Sequence, residues 1–389
     1  MSAKRSQILN FSAGPACLPT KILEQAAKDL IDYAETGISL AELSHRSSIC
    51  SNLIKSTQNN LRKLLGIPDN YSILFMQGGG TAQFSAVVYN LLAYQVAKNP
   101  STVSNMKCDY IVTGSWGLKA AHEAKRLGAM VNIVSDPKKI DGKYGRIPDE
   151  STWNFSQNPA YIHYCDNETV DGVEFAEFPK SLPEGVPVIC DMSSNILSRE
   201  FDVSKYAVIY AGAQKNFGIA GITMIIVRND ILERADAPNC AKLGIPITPV
   251  ILDYKTTSDC NSLYNTLPMF NVRVANLVFE NLLESGGVAA QERISKRKAE
   301  KLYSLLEKYP DVFEIVPGKG YRSRMNVTFR MGNLEEKFIS ESKDLGFEGL
   351  KGHRSVGGIR ASFYNAMPED GVDRLIEFME TFVKRYVSM

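Results

Sequence analysis

The chain has 389 residues, of which 44% are hydrophobic and 22% are charged, and its formal net charge is +1. This length allows one large hydrophobic core and a second, smaller one, and the composition is ordinary for a globular enzyme. The near-neutral charge argues against nucleic acid or a membrane surface as a partner, because neither would attract the chain electrostatically.

The N-terminal residues and the cysteines indicate the compartment in which the protein works. The first ten residues lack the apolar core of a signal peptide, and no stretch approaches membrane-spanning length. The seven cysteines have no CxxC spacing, which suits reduced thiols better than disulfides or a zinc site. We therefore expect a cytoplasmic protein without a bound metal.

The first predicted helix follows a turn-rich segment, NFSAGPACLP, and runs from Pro19 to about Glu35. Further along, His45 and Arg46 stand side by side. An arginine can hold a carboxylate or a phosphate through two parallel hydrogen bonds. His-Arg pairs are also common on solvated loops, and the local context alone favours that interpretation.

A glycine cluster, QGGGTAQF, lies between a strand predicted over Tyr71–Met76 and a helix predicted over Ala82–Ala97. This order offers backbone N–H groups and a helix N-terminus to a phosphate, and Thr81, at or near the N-cap, adds a hydroxyl. The cluster is neither a P-loop nor a GxGxxG fingerprint. A plain tight turn explains it about equally well.

Strands and helices alternate from residue 109 onward, and this alternation predicts an α/β fold with a mostly parallel sheet covered by helices. The next three strands read DYIVTG, MVNIVSD and YIHYC. Trp116 follows the first of them, where its ring would stack on a flat cofactor or fill the core. Thr169 follows the third.

An acid and a lysine lie at the ends of two later strands. The strand Val186–Cys190 runs directly into Asp191, and Lys215 lies in a glycine-containing turn between the strands Ala207–Tyr210 and Ile222–Val227. Ligands of open α/β sheets bind at the carboxyl ends of strands. There, an acid and a lysine suit pyridoxal phosphate (PLP), because the lysine forms a Schiff base and the acid keeps the pyridine nitrogen protonated.

An Asp–Lys ion pair is common in sheet proteins, so the pair alone is a moderate signal. The wider pattern is stronger, because five strand ends would converge at one edge of the sheet. These ends carry Thr81, Trp116, Thr169, Asp191 and Lys215.

The regular alternation ends after Arg228, and a smaller α+β domain is predicted beyond about Pro268. We predict a large domain over residues 17–268 and a small domain formed by residues 1–16 and 269–389. The small domain carries a glycine-rich segment, LKGHRSVGGIRASFYNAMP, which suits a multiply anionic ligand or, by default, forms a solvated charged loop. Its cationic side chains are His353, Arg354 and Arg360.

Taken together, these motifs resemble the phosphoserine aminotransferase family, which belongs to the class V group of fold-type-I PLP-dependent enzymes. The resemblance runs in order from about residue 10 to residue 368. It is carried by NFSAGPACLP, SHRS, QGGGTAQF, GSWG, NETVDGVE, DMSSN, AGAQKNFGIAG, YNTLPMF and GHRSVGGIRASFYNAMP.

The resemblance implies that Lys215 forms the Schiff base with PLP and that Asp191 faces the pyridine nitrogen. The other implied cofactor-binding residues are Gly80, Thr81, Trp116, Thr169 and Gln214. Asn265 and Thr266 match a pair that reaches the phosphate from the neighbouring subunit, which implies a homodimer. Some family members carry arginine where Thr81 stands, so this chain would have one cationic contact fewer there.

The implied reaction is a ping-pong transamination in serine biosynthesis. L-Glutamate would give its amino group to the cofactor, and 3-phosphohydroxypyruvate would receive it and become O-phospho-L-serine, with 2-oxoglutarate as the other product. Arg360 is similar to the residue that holds the α-carboxylate of both substrates. The distal anion would be held by His45, Arg46, His353 and Arg354.

Two alternatives stay open. One is a related class V enzyme, such as another aminotransferase or a cysteine desulfurase. A desulfurase would need a catalytic cysteine, for which Cys17, Cys50 and Cys260 are nominal candidates. A non-catalytic binder of phosphorylated ligands would keep the scaffold, although an intact Lys215 argues against it.

Overall fold

The structure, a computed structural model, describes residues 3–386. In this range the α-helices are α1 Ala3–Gln7, α2 Thr20–Ile31, α3 Ser48–Leu65, α4 Gly79–Lys98, α5 Ser115–Arg126, α6 Pro137–Asp141, α7 Ala237–Lys242, α8 Tyr254–Asp259, α9 Met269–Glu284, α10 Gly287–Lys308, α11 Glu335–Asp344 and α12 Glu369–Tyr386. The strands are β1 Leu9–Asn10, β2 Tyr71–Met76, β3 Lys107–Ile111, β4 Val131–Ser135, β5 Pro159–Cys165, β6 Asn167–Glu168, β7 Val173–Glu174, β8 Val188–Asp191, β9 Val208–Gly212, β10 Thr223–Arg228, β11 Glu314–Ile315, β12 Asn326–Arg330, β13 Phe347–Glu348 and β14 Ile359–Ser362.

The central sheet has seven strands in the order β2-β10-β9-β8-β5-β3-β4. Neighbouring strands are parallel except around β10, which is antiparallel to both β2 and β9. The strand β10 reverses direction because residues 213–222 join it to β9 by a short turn, whereas a parallel neighbour needs a crossover of about a dozen residues or more. The predicted mostly parallel α/β sheet is therefore confirmed.

The register of the sheet brings several strand ends to one edge. Thr223, the first residue of β10, pairs with both Met76 at the end of β2 and Gly212 at the end of β9. Likewise, Asp191 at the end of β8 pairs with Cys165 at the end of β5. The segments that follow β2, β5, β8 and β9 therefore all leave the sheet on the same side.

Alternate residues of the central strands pack into different helical layers. On β9, Val208 and Tyr210 belong to the hydrophobic cluster under α4 and α5, whereas Ile209 and Ala211 belong to the cluster with α3 and α9. Because both faces of the sheet are covered, these strands are continuously apolar in sequence, and this made them recognisable.

A second hydrophobic core surrounds the three-stranded sheet β11-β12-β14. It includes side chains of α10, α11 and α12, among them Phe338, Phe378 and Phe382 with their rings in contact. The N-terminal segment joins this core through Leu9 and Phe11, and β1 pairs with β13.

Helix α9 packs into the core of the large sheet, although the predicted boundary at residue 268 assigns it to the small domain. Val272 and Phe279 are fully buried in that core, and the ring of Phe279 stacks on Phe217 with the centroids 5.7 Å apart. We therefore propose that the large domain extends through α9 and that the small domain begins within α10, because a domain boundary should leave each core whole.

One predicted helix end differs from the structure, and another falls outside the described residues. Helix α2 ends at Ile31 rather than near Glu35, because Asp32 is already extended, with φ −143° and ψ 106°. Ala34 and Glu35 then adopt left-handed φ angles of 53° and 58°. The sequence also predicts a closing helix over Asp370–Val387, and its last residue lies outside the described residues. Within residues 3–386, no helix combines the length and the apolar composition that a membrane span requires.

Candidate active site

The strand ends at the common edge of the sheet surround one cavity of about 360 Å³. The structure brings together there the five residues for which convergence was predicted from strand order. They are Thr81, Trp116, Thr169, Asp191 and Lys215, joined by the predicted residues Gly80, Gln214, His353 and Arg360.

Lys215 extends into this cavity from the turn after β9. Its Nζ donates a hydrogen bond to Oγ1 of Thr169 at 3.0 Å and lies 6.0 Å from the ring centroid of Trp116. Gly14, at φ +126°, passes so close that a Cβ there would lie 3.3 Å from Cγ of Lys215. Glycine is therefore required at position 14 both for its backbone conformation and for the space that it leaves to the lysine.

Asp191 is buried at the end of β8. Burial raises the pKa of its carboxyl group, and three neighbours oppose that shift: hydrogen bonds from Ser193, the charge of Lys215 and the hydroxyl of Tyr210. The backbone N–H of Ser193 donates to Oδ1 of Asp191 at 2.9 Å. The carboxyl group of Asp191 thus lies in a dry environment that disfavours its charged form, and the three neighbours offset only part of that effect.

The N-terminus of α4 forms another wall of the cavity. The helix begins at Gly79, three residues earlier than predicted, so Thr81 lies in the first turn rather than at the N-cap, which is Gly78. Within residues 79–81 no acidic side chain competes for the free backbone N–H groups, which can therefore bind a phosphate. A Cβ at Gly80 would lie 3.6 Å from Oδ2 of Asp191, so this helix end and the carboxylate face the same space.

Trp116 is held by a buried carboxyl group, that of Glu168, which was not among the predicted site residues. Oε2 and Oε1 of Glu168 accept hydrogen bonds from the backbone N–H groups of Trp116 and Gly117, at 3.0 and 2.8 Å. Burial raises the pKa of Glu168 to about 8. Gly114 leaves room for this carboxylate, because a Cβ there would lie only 2.4 Å from Cδ of Glu168.

An arginine and a histidine of the second domain reach the cavity. Arg360, on β14, donates from Nη1 to the backbone oxygen of Thr169 at 3.3 Å, while its buried Nε has no partner. Burial lowers the pKa of Arg360, but a guanidinium remains charged at any physiological pH. The ring of His353 is held by Ser355, with Nδ1 and Oγ 2.6 Å apart, and burial lowers the pKa of His353 as well.

Five of the predicted site residues lie outside the cavity of their own chain. They are His45, Arg46, Asn265, Thr266 and Arg354. Asn265 donates from Nδ2 to Oε1 of Gln77 at 2.5 Å, and the side chains of Arg46, Thr266 and Arg354 are exposed. The cavity of a single chain therefore brings together seven of the nine predicted cofactor-binding residues and two of the five predicted substrate-binding residues.

Several cavity residues were missed by sequence reasoning, although the motifs around them had been noted. Gly14 belongs to NFSAGP, Asn167 to NETV and Ser193 to DMSS. Glu168, also in NETV, does not line the cavity and contacts the backbone of Trp116. Nothing in a linear pattern shows which member of such a motif faces the ligand. Position directly after a strand end is the signal that would have selected Asn167, because it follows β5 closely.

Comparison with known proteins identifies the family. The chain matches the family model of class-V aminotransferases over residues 8–375 and belongs to that family. The fold and the site thus define a PLP-dependent aminotransferase, as predicted.

Two relatives of the chain carry a more specific name than that of the class. The phosphoserine aminotransferase of Saccharomyces cerevisiae is 42% identical over 396 residues, which cover 99% of this chain and 100% of that protein. The phosphoserine aminotransferase of Drosophila melanogaster is 44% identical over 383 residues, which cover 97% of this chain and 99% of that protein.

Solved structures of phosphoserine aminotransferases have the same fold as this chain. The phosphoserine aminotransferase from Bacillus circulans subsp. alkalophilus superposes with a TM-score of 0.89 at 37% identity, covering 98% of this chain and 99% of that one. A PLP-bound phosphoserine aminotransferase from Trichomonas vaginalis gives a TM-score of 0.86 at 38% identity, covering 96% and 99%. The predicted resemblance to this family is confirmed.

The cavity fits PLP on its own chemistry. Its walls offer a lysine amine, a buried carboxylate, the start of a helix and an aromatic ring. Around it, buried polar atoms of Trp116 (Nε1), Asn167 (Oδ1) and Arg360 (Nε) have no hydrogen-bond partner in the protein. Buried polar groups are almost always paired, so these atoms are available to a polar ligand.

Proposed function

We propose that this chain is a PLP-dependent transaminase that transfers the amino group of L-glutamate to 3-phosphohydroxypyruvate, giving O-phospho-L-serine and 2-oxoglutarate in serine biosynthesis. The observation that carries the proposal is the meeting of Lys215, Asp191 and Arg360 around one cavity. The full-length similarity to phosphoserine aminotransferases supports the choice of substrates.

The chemistry needs a carbonyl group and an electron sink. When bound, PLP supplies both, as an aldehyde that takes up an amino group and a ring that accepts electrons from the substrate's Cα–H bond. Lys215 is placed to hold the cofactor and, once its amine is free, to move the proton at the substrate's Cα. Its hydrogen bond to Thr169 orients the amine within the cavity.

Asp191 and Trp116 would hold the ring of the cofactor. A charged carboxylate at Asp191 favours the protonated pyridine nitrogen, because the two opposite charges lie in a site of low dielectric. The indole of Trp116, fixed through Glu168, offers a flat surface for stacking. The N-terminus of α4, with Gly80 and Thr81, would bind the phosphate together with Gln214.

Both substrates have an α-carboxylate and a second anion at the far end. Arg360 is suited to the α-carboxylate, because it lines the cavity beside Thr169 and its Nε has no partner in the protein. His353 and Arg354 stand on the loop before β14 and would bind the distal anion. The N–H groups of arginine and histidine can donate hydrogen bonds to a carboxylate or to a phosphate. One site can therefore bind both glutamate and 3-phosphohydroxypyruvate.

We further propose a homodimer that completes each site. Asn265 and Thr266 do not line the cavity of their own chain, and neither do His45 and Arg46. Large apolar side chains that are exposed lie near each pair in the sequence, as expected for an interface. Those nearest to His45 and Arg46 are Leu30, Ile31 and Ile38, and those nearest to Asn265 and Thr266 are Ile247, Val250, Ile251 and Tyr264.

The alternative of a cysteine desulfurase finds little support. Cys17, Cys50 and Cys260 do not line the cavity. Cys165 does, but it lies at the end of β5, its thiol donates to the backbone oxygen of Asn167 at 3.3 Å, and burial raises its pKa well above the usual value. A buried thiol of raised pKa is a poor nucleophile.

The test is an amino-donor assay of the purified protein. Glutamate with 3-phosphohydroxypyruvate, and phosphoserine with 2-oxoglutarate, should both react, whereas alanine and cysteine should not. Activity with cysteine alone would establish the desulfurase. A colourless protein that takes up no added PLP would establish a non-catalytic binder.

A further inference from the structure

The strand β12 of the small domain contacts the large domain along one of its faces. Val327 lies in the core of the small domain, and successive residues of a strand point to opposite faces, so Asn326 and Thr328 point away from that core. They meet the hairpin of β6 and β7, residues 167–174. Thr328 donates from Oγ1 to the backbone oxygen of Asp171 at 2.9 Å. This face of β12 therefore joins the two domains.

The side chain of Asn326 is fully buried in this junction and makes three hydrogen bonds. Its Oδ1 accepts from Nδ2 of Asn167 at 2.8 Å. Its Nδ2 donates to Oγ of Ser362 at 2.8 Å and to the hydroxyl of Tyr364 at 3.1 Å. Both N–H groups and the oxygen of this amide thus have partners, as a buried amide requires.

The hydroxyl of Tyr364 determines which way the amide of Asn326 points. This hydroxyl donates to the backbone oxygen of Ala13 at 2.8 Å, because a carbonyl oxygen can only accept. Its single proton is then used, so it accepts from Nδ2 of Asn326. A reversed amide would place the oxygen of Asn326 against a hydroxyl with no proton left to donate. The oxygen of Asn326 therefore faces Asn167.

The partners of Asn326 belong to different walls of the active-site cavity. Asn167, on the hairpin, lines the cavity directly, and Tyr364 holds Ala13, which also lines it. Ser362 lies on β14, two residues after Arg360. Asn326 itself does not line the cavity. One buried amide thus connects the wall that carries Arg360 to two other walls.

We propose that Asn326 is a positioning residue that sets the place of Arg360 relative to Lys215. Through its hydrogen bonds it holds β14 against the hairpin, and the hairpin carries Thr169, which contacts both Lys215 and Arg360. The proposal rests on the proposed role of Arg360 toward the α-carboxylate of the substrate. A reacting amine and a carboxylate anchor must be spaced accurately, since a misplacement of about 1 Å can cost about 100-fold in rate.

The direct test compares crystal structures of the wild-type holoenzyme and of Asn326→Leu, which keeps the branching of the side chain and removes its hydrogen-bonding groups. In the variant the guanidinium of Arg360 should move away from Thr169 by about 1 Å, the misplacement that matters for catalysis. An unmoved Arg360 would overturn the proposal, whatever reaction the enzyme catalyses.

The second test measures by calorimetry how tightly each holoenzyme binds glutarate, a dicarboxylate without an amino group to transfer. Its dissociation constant should rise about 10- to 100-fold in Asn326→Leu, the size of one hydrogen bond to a charged group. The matched control is Asn90→Leu. Asn90 is also buried, and its Nδ2 donates to the backbone oxygens of Ala86 and Leu252, none of which lines the cavity.

Both variants lose buried hydrogen bonds and should lose stability, but only Asn326→Leu should lose affinity for glutarate. Equal dissociation constants in the two variants would contradict the proposal. If Asn326→Leu does not fold, Asn326→Ser takes its place in both measurements, because serine keeps a polar group but is too short to reach Asn167. Unchanged glutarate affinity and an unmoved Arg360 in that variant would likewise overturn the proposal.

These outcomes are separable from the proposed reaction. A wild-type holoenzyme that binds no glutarate would refute the role of Arg360 toward carboxylates, and the crystal structure of the variant would still decide whether Asn326 positions Arg360.

Discussion

Lys215 and Thr169 meet across the edge of the sheet, with Nζ of the lysine 3.0 Å from Oγ1 of the threonine. The backbone oxygen of the same threonine accepts a hydrogen bond from Nη1 of Arg360. Thr169 therefore links the amine proposed to carry the chemistry with the guanidinium proposed to hold the substrate. Reaction centre and substrate anchor are thus positioned by one residue.

Replacement of Arg360 by alanine should impair both half-reactions. Both substrates present an α-carboxylate, so kcat/KM should fall about 10- to 100-fold for glutamate and for 3-phosphohydroxypyruvate alike, as expected for a lost charged hydrogen bond. Steady-state kinetics with each substrate varied in turn measures this. Arg293→Ala, at an exposed position of α10, is the control and should be unaffected. A loss confined to one substrate would show that Arg360 does not hold the shared carboxylate.

The proposed dimer predicts complementation between two inactive chains. If Asn265 serves the partner's site, a Lys215→Ala chain and an Asn265→Ala chain should together form one intact site per heterodimer. Co-expression with two different affinity tags isolates that heterodimer. Its activity should approach half that of the wild type, while each parental homodimer stays impaired.

That experiment also has a clear negative outcome. A heterodimer with no more activity than the average of its parents would place Asn265 in its own chain's site or outside any site.

Gly114→Ala should loosen Trp116 by crowding Glu168. A Cβ at residue 114 would lie 2.4 Å from Cδ of Glu168, whose carboxylate anchors the backbone of Trp116. We expect a loss of about 1–3 kcal/mol in the free energy of unfolding, together with weaker PLP binding. Gly320→Ala is the control, since no atom lies within 4 Å of a Cβ there. Equal unfolding free energies for the two variants would refute the crowding.

Much of the site was predictable because strand ends have a sequence signature. Asp191 directly follows an apolar run, and Lys215 lies in a small-residue turn between two others. The direction of β10 and the packing of α9 were not predictable in this way, since both depend on contacts between distant segments. Glu168 escaped for the same reason, because it contacts Trp116, which lies 52 residues earlier in the chain.

The pH dependence of stability should report the buried Lys298. Its Nζ donates to the backbone oxygens of Phe363, Tyr364 and Met367 at 2.8–3.2 Å, and burial lowers its pKa to about 8. In the unfolded chain the pKa returns to about 10.4. Between these values the unfolded state binds more protons, so this lysine makes stability rise with pH, by at most about 1.4 kcal/mol per pH unit.

Urea unfolding between pH 7 and pH 10 tests this, with Lys298→Met as the comparison, because other groups titrate in the same window. The wild type should gain stability relative to the variant as the pH rises above 8. A constant difference between the two proteins would mean that Lys298 stays charged in the folded state.

The attachment of PLP to Lys215 is tested most directly by reducing the holoenzyme with borohydride and locating the phosphopyridoxyl group by peptide mass spectrometry. The expected result is a single modified peptide with the group on the Nζ of Lys215. Modification of a different lysine, or of none in a protein that retains its cofactor, would contradict the account.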